Sequence, residues 1–144
     1  MKLKIVIGLS FLLLGCSQQK IENLSQLNGY WEIEKVTFPS GESKGYKVNT
    51  VIDFIQVKND STGTREKVMP RLDGTFISMN EYESFSIKKE DGQFFMVYNN
   101  EEGYRKEQLV KLTKDIFAVS NDQDKTYFYK RFEKFSLKKG SAEH

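Results

Sequence analysis

The sequence has a single histidine, His144, and a single cysteine, Cys16. A hydrolase that activates a serine or cysteine with an imidazole needs a histidine within the fold, and many metal sites use the same side chain. Because His144 is the last residue, the sequence excludes such nucleophiles and histidine-ligated metal sites. One cysteine also excludes an internal disulfide, so packing must hold the fold together. We expect no enzymatic activity, no cofactor and no metal site.

Carboxylates are the remaining candidates for acid–base chemistry or calcium binding. The two pairs considered are Asp122 with Asp124 and Glu101 with Glu102. The first pair lacks the spaced oxygen ligands and terminal glutamate of a calcium loop. Both pairs lie in turn-like sequences, where Asp, Asn and Gly are favoured for backbone reasons. We interpret them as solvated turn residues.

Long apolar runs are scarce, and the one that is present stands at the start of the chain. Lys2 and Lys4 precede an apolar and small-residue run over residues 5–15. That run is shorter than the roughly 20 residues that a membrane-spanning helix needs, and the pattern is typical of a secretory signal peptide. The Leu-Leu-Gly-Cys sequence that ends at Cys16 resembles the lipobox of bacterial lipoproteins. The resemblance implies lipid attachment at Cys16 and a lipid-anchored protein in the bacterial cell envelope, which we expect at the outer membrane.

Cleavage at this site removes the excess of positive charge. Residues 1–15 contain two of the 22 basic residues and none of the 20 acidic ones, so 20 of each remain. Without a net positive field or a one-faced run of Lys and Arg, the chain lacks the electrostatic pattern of a nucleic-acid-binding protein. We expect the membrane as a partner through the lipid, and no nucleic acid.

After the predicted cleavage site the chain divides into a tether, one domain and a tail. Residues 16–26 are a short polar tether, and Ile21, Leu24 and Leu27 follow at three-residue spacing, which predicts a short helical turn that plugs the domain. Residues 27–132 have the size of one domain, and residues 133–144 form a polar tail.

The sequence of the domain predicts a succession of short strands. Trp31 and Ile33 share one face of the first run while Glu32 and Glu34 share the other, which is the two-residue period of a strand. Turn sequences separate eight further strand-like runs, at residues 50–58, 64–69, 75–79, 84–89, 93–98, 104–112, 116–120 and 125–132. Without an amphipathic helix of any length, this spacing predicts an all-β fold, a single antiparallel up-and-down meander of about eight to nine strands. We expect the meander to close into a barrel, because a sandwich would leave two edges open to pairing with other chains.

Two details of this barrel follow from the same pattern. In a closed meander the last strand lies beside the first, so Arg131 should lie within about 6 Å of Trp31 and stack on it. The inward face of residues 51–57 is ambiguous: either Ile52 and Phe54 point inward with Asp53 outside, or the opposite set does and carries Asp53 with it. We prefer the first arrangement.

The Gly29-x-Trp31 entry into the first strand, the meander of roughly eight strands and Arg131 at the end of the last strand resemble a lipocalin-like domain, of the small lipoprotein kind found in Bacteroidetes. The resemblance implies a calycin-like barrel over residues 27–132. The loop at residues 39–49 is too short for the helix pair that covers fatty-acid-binding proteins, and the tail is too short for the long helix of larger lipocalins. Any cavity would then be small or differently covered.

Aromatic residues are the remaining hint of function. One face of each barrel strand points inward, and an eight-stranded barrel is either filled by side chains or holds one small ligand. We expect a small apolar ligand, with Arg131 as the possible partner of an acidic head group. The candidate ligand-binding residues are Trp31, Phe94, Met96, Tyr98, Tyr127, Tyr129 and Arg131.

Two functional hypotheses follow. The first is an envelope-anchored, lipocalin-like lipoprotein that binds a small apolar molecule in the barrel. The alternative is a non-catalytic accessory or inhibitor lipoprotein that acts through contacts with another envelope protein. An internal void lined by the aromatic residues would favour the first hypothesis, whereas a packed interior with an apolar outer patch would favour the second.

Overall fold

The structure is a computed structural model that describes residues 20–134. The predicted signal peptide, Cys16 and residues 17–19 of the tether lie outside the described residues, as do all but the first two residues of the predicted tail. The described elements are one 3-10 turn (Leu24–Leu27) and nine strands: β1 (Gly29–Thr37), β2 (Ser43–Gly45), β3 (Ile52–Lys58), β4 (Thr62–Pro70), β5 (Phe76–Glu90), β6 (Gln93–Asn100), β7 (Gly103–Leu112), β8 (Ile116–Ser120) and β9 (Thr126–Arg131).

Strand pairing closes the sheet into a barrel. Every neighbouring pair is antiparallel, from β1 and β3 through to β9, and β9 pairs with the free edge of β1. Eight strands therefore form the closed barrel, and the short β2 pairs with the last residues of β1 as an additional strand. The predicted antiparallel, up-and-down barrel is confirmed.

Two predicted strand boundaries were wrong. Residues 75–79 and 84–89 are parts of one strand, β5. A bulge replaces the expected break. Glu66 pairs with Tyr82 and Val68 pairs with Ser78, so the β5 residues between Ser78 and Tyr82 lie opposite a single residue of β4. Within this bulge Asn80 adopts a φ of 56°. Such a bulge bends a strand without ending it. Residues 43–45, within the predicted loop, form β2 because the chain turns back on β1 there.

The preferred facing of β3 was also wrong. Asp53 is only 3% exposed and Ile55 lies in the core cluster, so the alternating set of β3 residues that contains these two points into the barrel. Phe54 points outward and stacks on Tyr30 with ring centroids 4.5 Å apart. Phe76, at the start of β5, stacks on the same tyrosine at 4.0 Å. Partners from other strands thus cover the aromatic face of β3 outside the barrel.

The 3-10 turn closes one end of the barrel, as its apolar spacing predicted. Leu24 and Leu27 are buried in the core cluster, and the indole Nε1 of Trp31 donates a hydrogen bond of 2.7 Å to the carbonyl oxygen of Leu27. Gly29 adopts a φ of +121°, and a Cβ there would lie 2.6 Å from Nη1 of Arg131. Only glycine leaves room for this guanidinium beside the first strand. No helix within residues 20–134 is long and apolar enough to cross a membrane.

Candidate functional site

The barrel interior changes character along its axis. Near the plug it is apolar, with Trp31 and Phe117 in edge-to-face contact at 4.8 Å and Phe117 stacked on Tyr129 at 4.5 Å. Toward the opposite end, which we call the mouth, the inward positions carry charged side chains. These charged interior residues are Asp53, Arg65, Lys67, Glu83, Arg105 and Glu107.

One half of the charged interior centres on Asp53. Its Oδ2 accepts a hydrogen bond of 2.9 Å from Nη2 of Arg65, and its Oδ1 lies 2.6 Å from Nζ of Lys67. Burial by itself would raise the pKa of the Asp53 carboxyl, but the charges of Arg65 and Lys67 outweigh it and hold the pKa below its ordinary value. Arg65, only 7% exposed, also donates to the hydroxyl of Tyr98 at 3.3 Å and lies 5.0 Å from the ring centre of Tyr129.

The other half centres on Arg105. Its Nη1 and Nη2 donate to the two carboxylate oxygens of Glu83 at 3.1 and 3.0 Å, and its Nε donates to Oε1 of Glu107 at 2.8 Å. The same guanidinium lies 4.0 Å from the ring centre of Tyr98. The hydrogen bonds from Arg105 lower the pKa of Glu83. Burial raises the pKa of the Tyr98 hydroxyl, which therefore stays protonated at neutral pH.

Glu107 has an acceptor that is not used by the described residues. The residue is 8% exposed, and its Oε2 is buried without a hydrogen-bond partner among residues 20–134. An unpaired buried acceptor costs about 1–3 kcal/mol, and more when it is charged. The second buried oxygen without a hydrogen bond of good geometry, Oδ1 of Asp53, is compensated by the ion pair with Lys67.

Above these charges the mouth opens into a cleft of about 580 Å³, which we call the mouth cleft. Three parts of the fold line it: the inward side chains of β3 and β4, the bulged segment of β5, and the turn between β6 and β7. The lining residues are Asp53, Arg65, Lys67, Asn80, Glu81, Tyr82, Glu83, Asn100, Glu101 and Glu102. The cleft is thus floored by buried charges and rimmed by exposed polar residues.

The structure places the six apolar and aromatic candidates in the packed core. Trp31, Met96, Tyr98 and Tyr129 are buried, whereas Phe94 and Tyr127 are partly buried and pack against the same cluster. Their side chains fill the interior between the plug and the charged residues. Tyr98 and Tyr129 also contact Arg65, so these two candidates form the boundary between the core and the charged interior. A ligand contact by any of the six stays a prediction.

Arg131 lies at the closed end, away from the mouth. Its guanidinium is 3.7 Å from the ring centre of Trp31, which confirms the expected contact between the last strand and the first. It also donates to the carbonyl oxygens of Gln26, Asn28 and Lys114 at 2.6–3.1 Å. These contacts tie the plug to two strand ends, and they occupy the guanidinium that was considered for an acidic head group.

The sequence-based candidates did not include the charged interior residues. The sequence does contain a pattern that indicates them. Arg105 and Glu107 share the two-residue alternation of Leu109 on β7, and Glu83 shares that of Phe85 on β5. On each strand the inward face is therefore apolar at one end and charged at the other. No group of three or more His, Cys, Asp or Glu within residues 20–134 is arranged to hold a metal ion.

Comparison with known proteins finds similar solved structures at low sequence identity. No family model matches the chain, and no curated protein matches it. Two of the similar solved structures come from Bacteroides, and one of these is described as lipocalin-like. The lipocalin-like protein from Bacteroides uniformis is 12% identical, with 74% of this chain and 99% of that chain covered and a TM-score of 0.46.

A protein from Bacteroides eggerthii that is described as uncharacterized gives the same identity of 12%, the same coverage of 74% and 99%, and a TM-score of 0.46. Apocrustacyanin C1 is 9% identical, with 80% of this chain and 66% of that chain covered and a TM-score of 0.45. The closed barrel is established by the strand pairing of the chain itself.

Proposed function

We propose that this protein is a lipocalin-like binding module, anchored to the bacterial envelope by a lipid on Cys16, that binds a small polar molecule in the mouth cleft. The observation that carries the proposal is the cleft, which has buried Asp53 and Arg65 in its floor and lies above an apolar interior that is already filled. Its volume of about 580 Å³ is within the usual range for small-molecule sites, roughly 300–1,000 Å³.

The mouth fits a ligand better than the core does. An apolar molecule in the barrel would have to displace buried rings such as Trp31 and Phe117, which make close contacts with each other and with Tyr129. Uncovering one large apolar side chain costs about 1.5–3 kcal/mol, and several would have to move together. The mouth cleft is open without any such movement, so binding there needs no repacking.

The expected site can be tested by locating bound ligands on the purified full chain. Backbone amide shifts in an NMR titration should change at residues 80–83 and 100–102 when polar molecules are added, and the fluorescence of Trp31 at the closed end should not change. Fatty acids and retinoids serve as the apolar comparison. A shift of Trp31 emission by these apolar ligands, with no polar ligand perturbing the cleft residues, would instead support an apolar ligand in the core.

The envelope anchor is tested by Cys16→Ser in the full chain. We expect the wild type to incorporate labelled fatty acid and to fractionate with membranes, because the thiol of Cys16 is the only one available for the lipid. Cys16→Ser should lose both the label and processing, with the folded domain unchanged. A second variant, Cys16→Ser with Ser17→Cys, moves the thiol by one residue and should not restore labelling. Recovery of cleaved, unlabelled wild-type protein in the soluble periplasmic fraction would refute the anchor.

The alternative role, contact with another envelope protein, stays a prediction. A packed apolar interior is one of the two features expected for it. The other is a continuous apolar patch on the outside. The exposed large apolar side chains within residues 20–134 lie on the loop before β3, the turn before β5, and strands β5 and β7.

A further inference from the structure

The mouth cleft and the charged interior beneath it have an excess of negative charge. Together they contain six carboxylates, on Asp53, Glu81, Glu83, Glu101, Glu102 and Glu107, and three cations, on Arg65, Lys67 and Arg105. With all of them ionised, the net charge is −3. A concave site lined by one sign of charge attracts ligands of the opposite sign.

The cations of this site are already paired, whereas several carboxylates are not. Arg65 and Lys67 both contact Asp53, and Arg105 contacts Glu83 and Glu107. The rim carboxylates of Glu81, Glu101 and Glu102 form no ion pair within the described part of the chain. An anionic ligand would meet cations that are already paired with carboxylates, whereas a cationic ligand would meet free acceptors.

Glu107 supplies a second, independent indication. It faces the barrel interior on β7, directly below Arg105 on the same face, and its buried Oε2 lacks a hydrogen-bond donor among residues 20–134. Arg105, whose side chain is 43% exposed, links Glu107 to Glu83 in the lining of the mouth cleft. A donor that enters beside Arg105 would satisfy the unpaired oxygen and recover the cost of its burial.

The arrangement around Arg105 shows what kind of group this position accepts. The guanidinium lies over the Tyr98 ring at 4.0 Å and bridges the carboxylates of Glu83 and Glu107. An aromatic face flanked by carboxylates is a favourable environment for an organic cation. The protein's own arginine occupies part of this environment, and the remaining acceptors continue from it to the rim.

We propose that the mouth cleft binds a small organic cation, a flexible amine whose ammonium groups reach the rim carboxylates at one end and Glu107 at the other. This inference rests on the proposed function, since it names the ligand class of the same cleft. The free acceptors at Glu81, Glu101 and Glu102 set the position of one end of the ligand, and the unpaired oxygen of Glu107 sets the other.

The test uses three probes that have the same four-carbon length and differ in charge: 1,4-diaminobutane, 1,4-butanediol and succinate. Each is titrated into the purified full chain by calorimetry at low salt, and amide shifts at residues 80–83 and 100–102 report the location. We expect the diamine to bind in the cleft, with an affinity at least tenfold higher than that of the diol, and succinate not to bind. Raising the salt concentration should weaken the binding of the diamine, because salt screens the exposed charges of the rim.

Variants assign the contacts. Glu107→Gln keeps the size of the side chain and should weaken diamine binding about tenfold, and Glu81→Gln at the exposed rim should weaken it about threefold. Glu66→Gln is the matched control, because Glu66 follows Arg65 on β4 and its side chain points to the outer face, with that of Phe54. Thermal unfolding of each variant checks the fold, and Glu81→Gln remains informative should Glu107→Gln fail to fold.

The possible results separate the two proposals. Succinate binding at the cleft, or equal binding of the diamine and the diol, would overturn the cationic ligand and leave the cleft as a binding site. Equal diamine affinities for Glu107→Gln and Glu66→Gln would overturn the proposal as well. If none of the three probes and no other polar molecule perturbs the cleft residues, the proposed function falls with it.

Discussion

Replacing Asp53 by asparagine should destabilise the barrel far more than its small change in size suggests. Asp53 is 3% exposed and contacts Arg65, which is 7% exposed. Among the described residues, no other carboxylate lies within ion-pair distance of Arg65. In Asp53→Asn the guanidinium of Arg65 stays buried without its counter-charge. Breaking a buried ion pair in this way costs about 3–5 kcal/mol. For a domain of this size that corresponds to a fall in Tm of roughly 10–20 °C.

The matched control is an ion pair of similar length at the surface. Lys106 contacts Glu90 at 2.6 Å, as Lys67 contacts Asp53, but the Glu90 side chain is 48% exposed. Exposed pairs contribute little to stability, so Glu90→Gln should change the unfolding free energy far less than Asp53→Asn does. Burial therefore decides the difference between two pairs of equal length.

Urea unfolding followed by Trp31 fluorescence measures both variants, because Trp31 is the only tryptophan and is buried. Adding Arg65→Met to Asp53→Asn removes the unpaired charge together with its partner and should recover most of the loss. If Asp53→Asn is no more destabilising than Glu90→Gln, or if the double variant recovers nothing, the buried pair does not contribute as described here.

The dependence on pH has a defined sign. The pKa of Asp53 is lower in the folded chain than its ordinary value of 3.8. A lowered pKa stabilises the folded state above the unfolded pKa, and that stabilisation is lost as the pH falls below 3.8 and through the folded pKa. Asp53→Asn should therefore show a shallower loss of stability between about pH 5 and the acid limit than the wild type does.

Two further substitutions test the closed end and the barrel wall. Arg131→Ala should lower the unfolding free energy by about 2–4 kcal/mol, since it removes the stacking on Trp31 and several charge-assisted hydrogen bonds to carbonyl oxygens. Arg131→Lys should recover less than half of this loss, and a loss below about 0.5 kcal/mol for Arg131→Ala would show that the plug holds without the arginine. Gly63→Ala should cost about 1–3 kcal/mol, because a Cβ there would meet the Phe85 ring and lie 2.7 Å from a backbone oxygen of β3. Gly45→Ala is its control, with the nearest atom 3.9 Å away, and equal urea midpoints for the two alanine variants would contradict the steric reasoning.

Local patterns in the sequence were sufficient for the architecture. Strand periodicity and turn spacing depend on neighbouring residues, and they predicted the antiparallel meander, its closure and the plug formed by Leu24 and Leu27. Trp31 and Arg131 could be placed together because closure brings the first and last strands side by side whatever the registers between them. The residue composition likewise limited which kinds of catalytic and metal site we expected, because composition can be read without knowing any tertiary contact.

Tertiary structure alone decided the interior of the barrel. Asp53 points inward because Arg65, on the neighbouring strand, compensates its charge, and alternation within β3 does not contain that information. Glu83 meets Arg105 across 22 positions of sequence, and the bulge in β5 brings Glu81 to the cleft. These contacts depend on the registers between strands and on the volume left inside a closed barrel. For the same reason, the aromatic residues that the sequence offered as a ligand wall form the packed core, and charged residues line the opening above it.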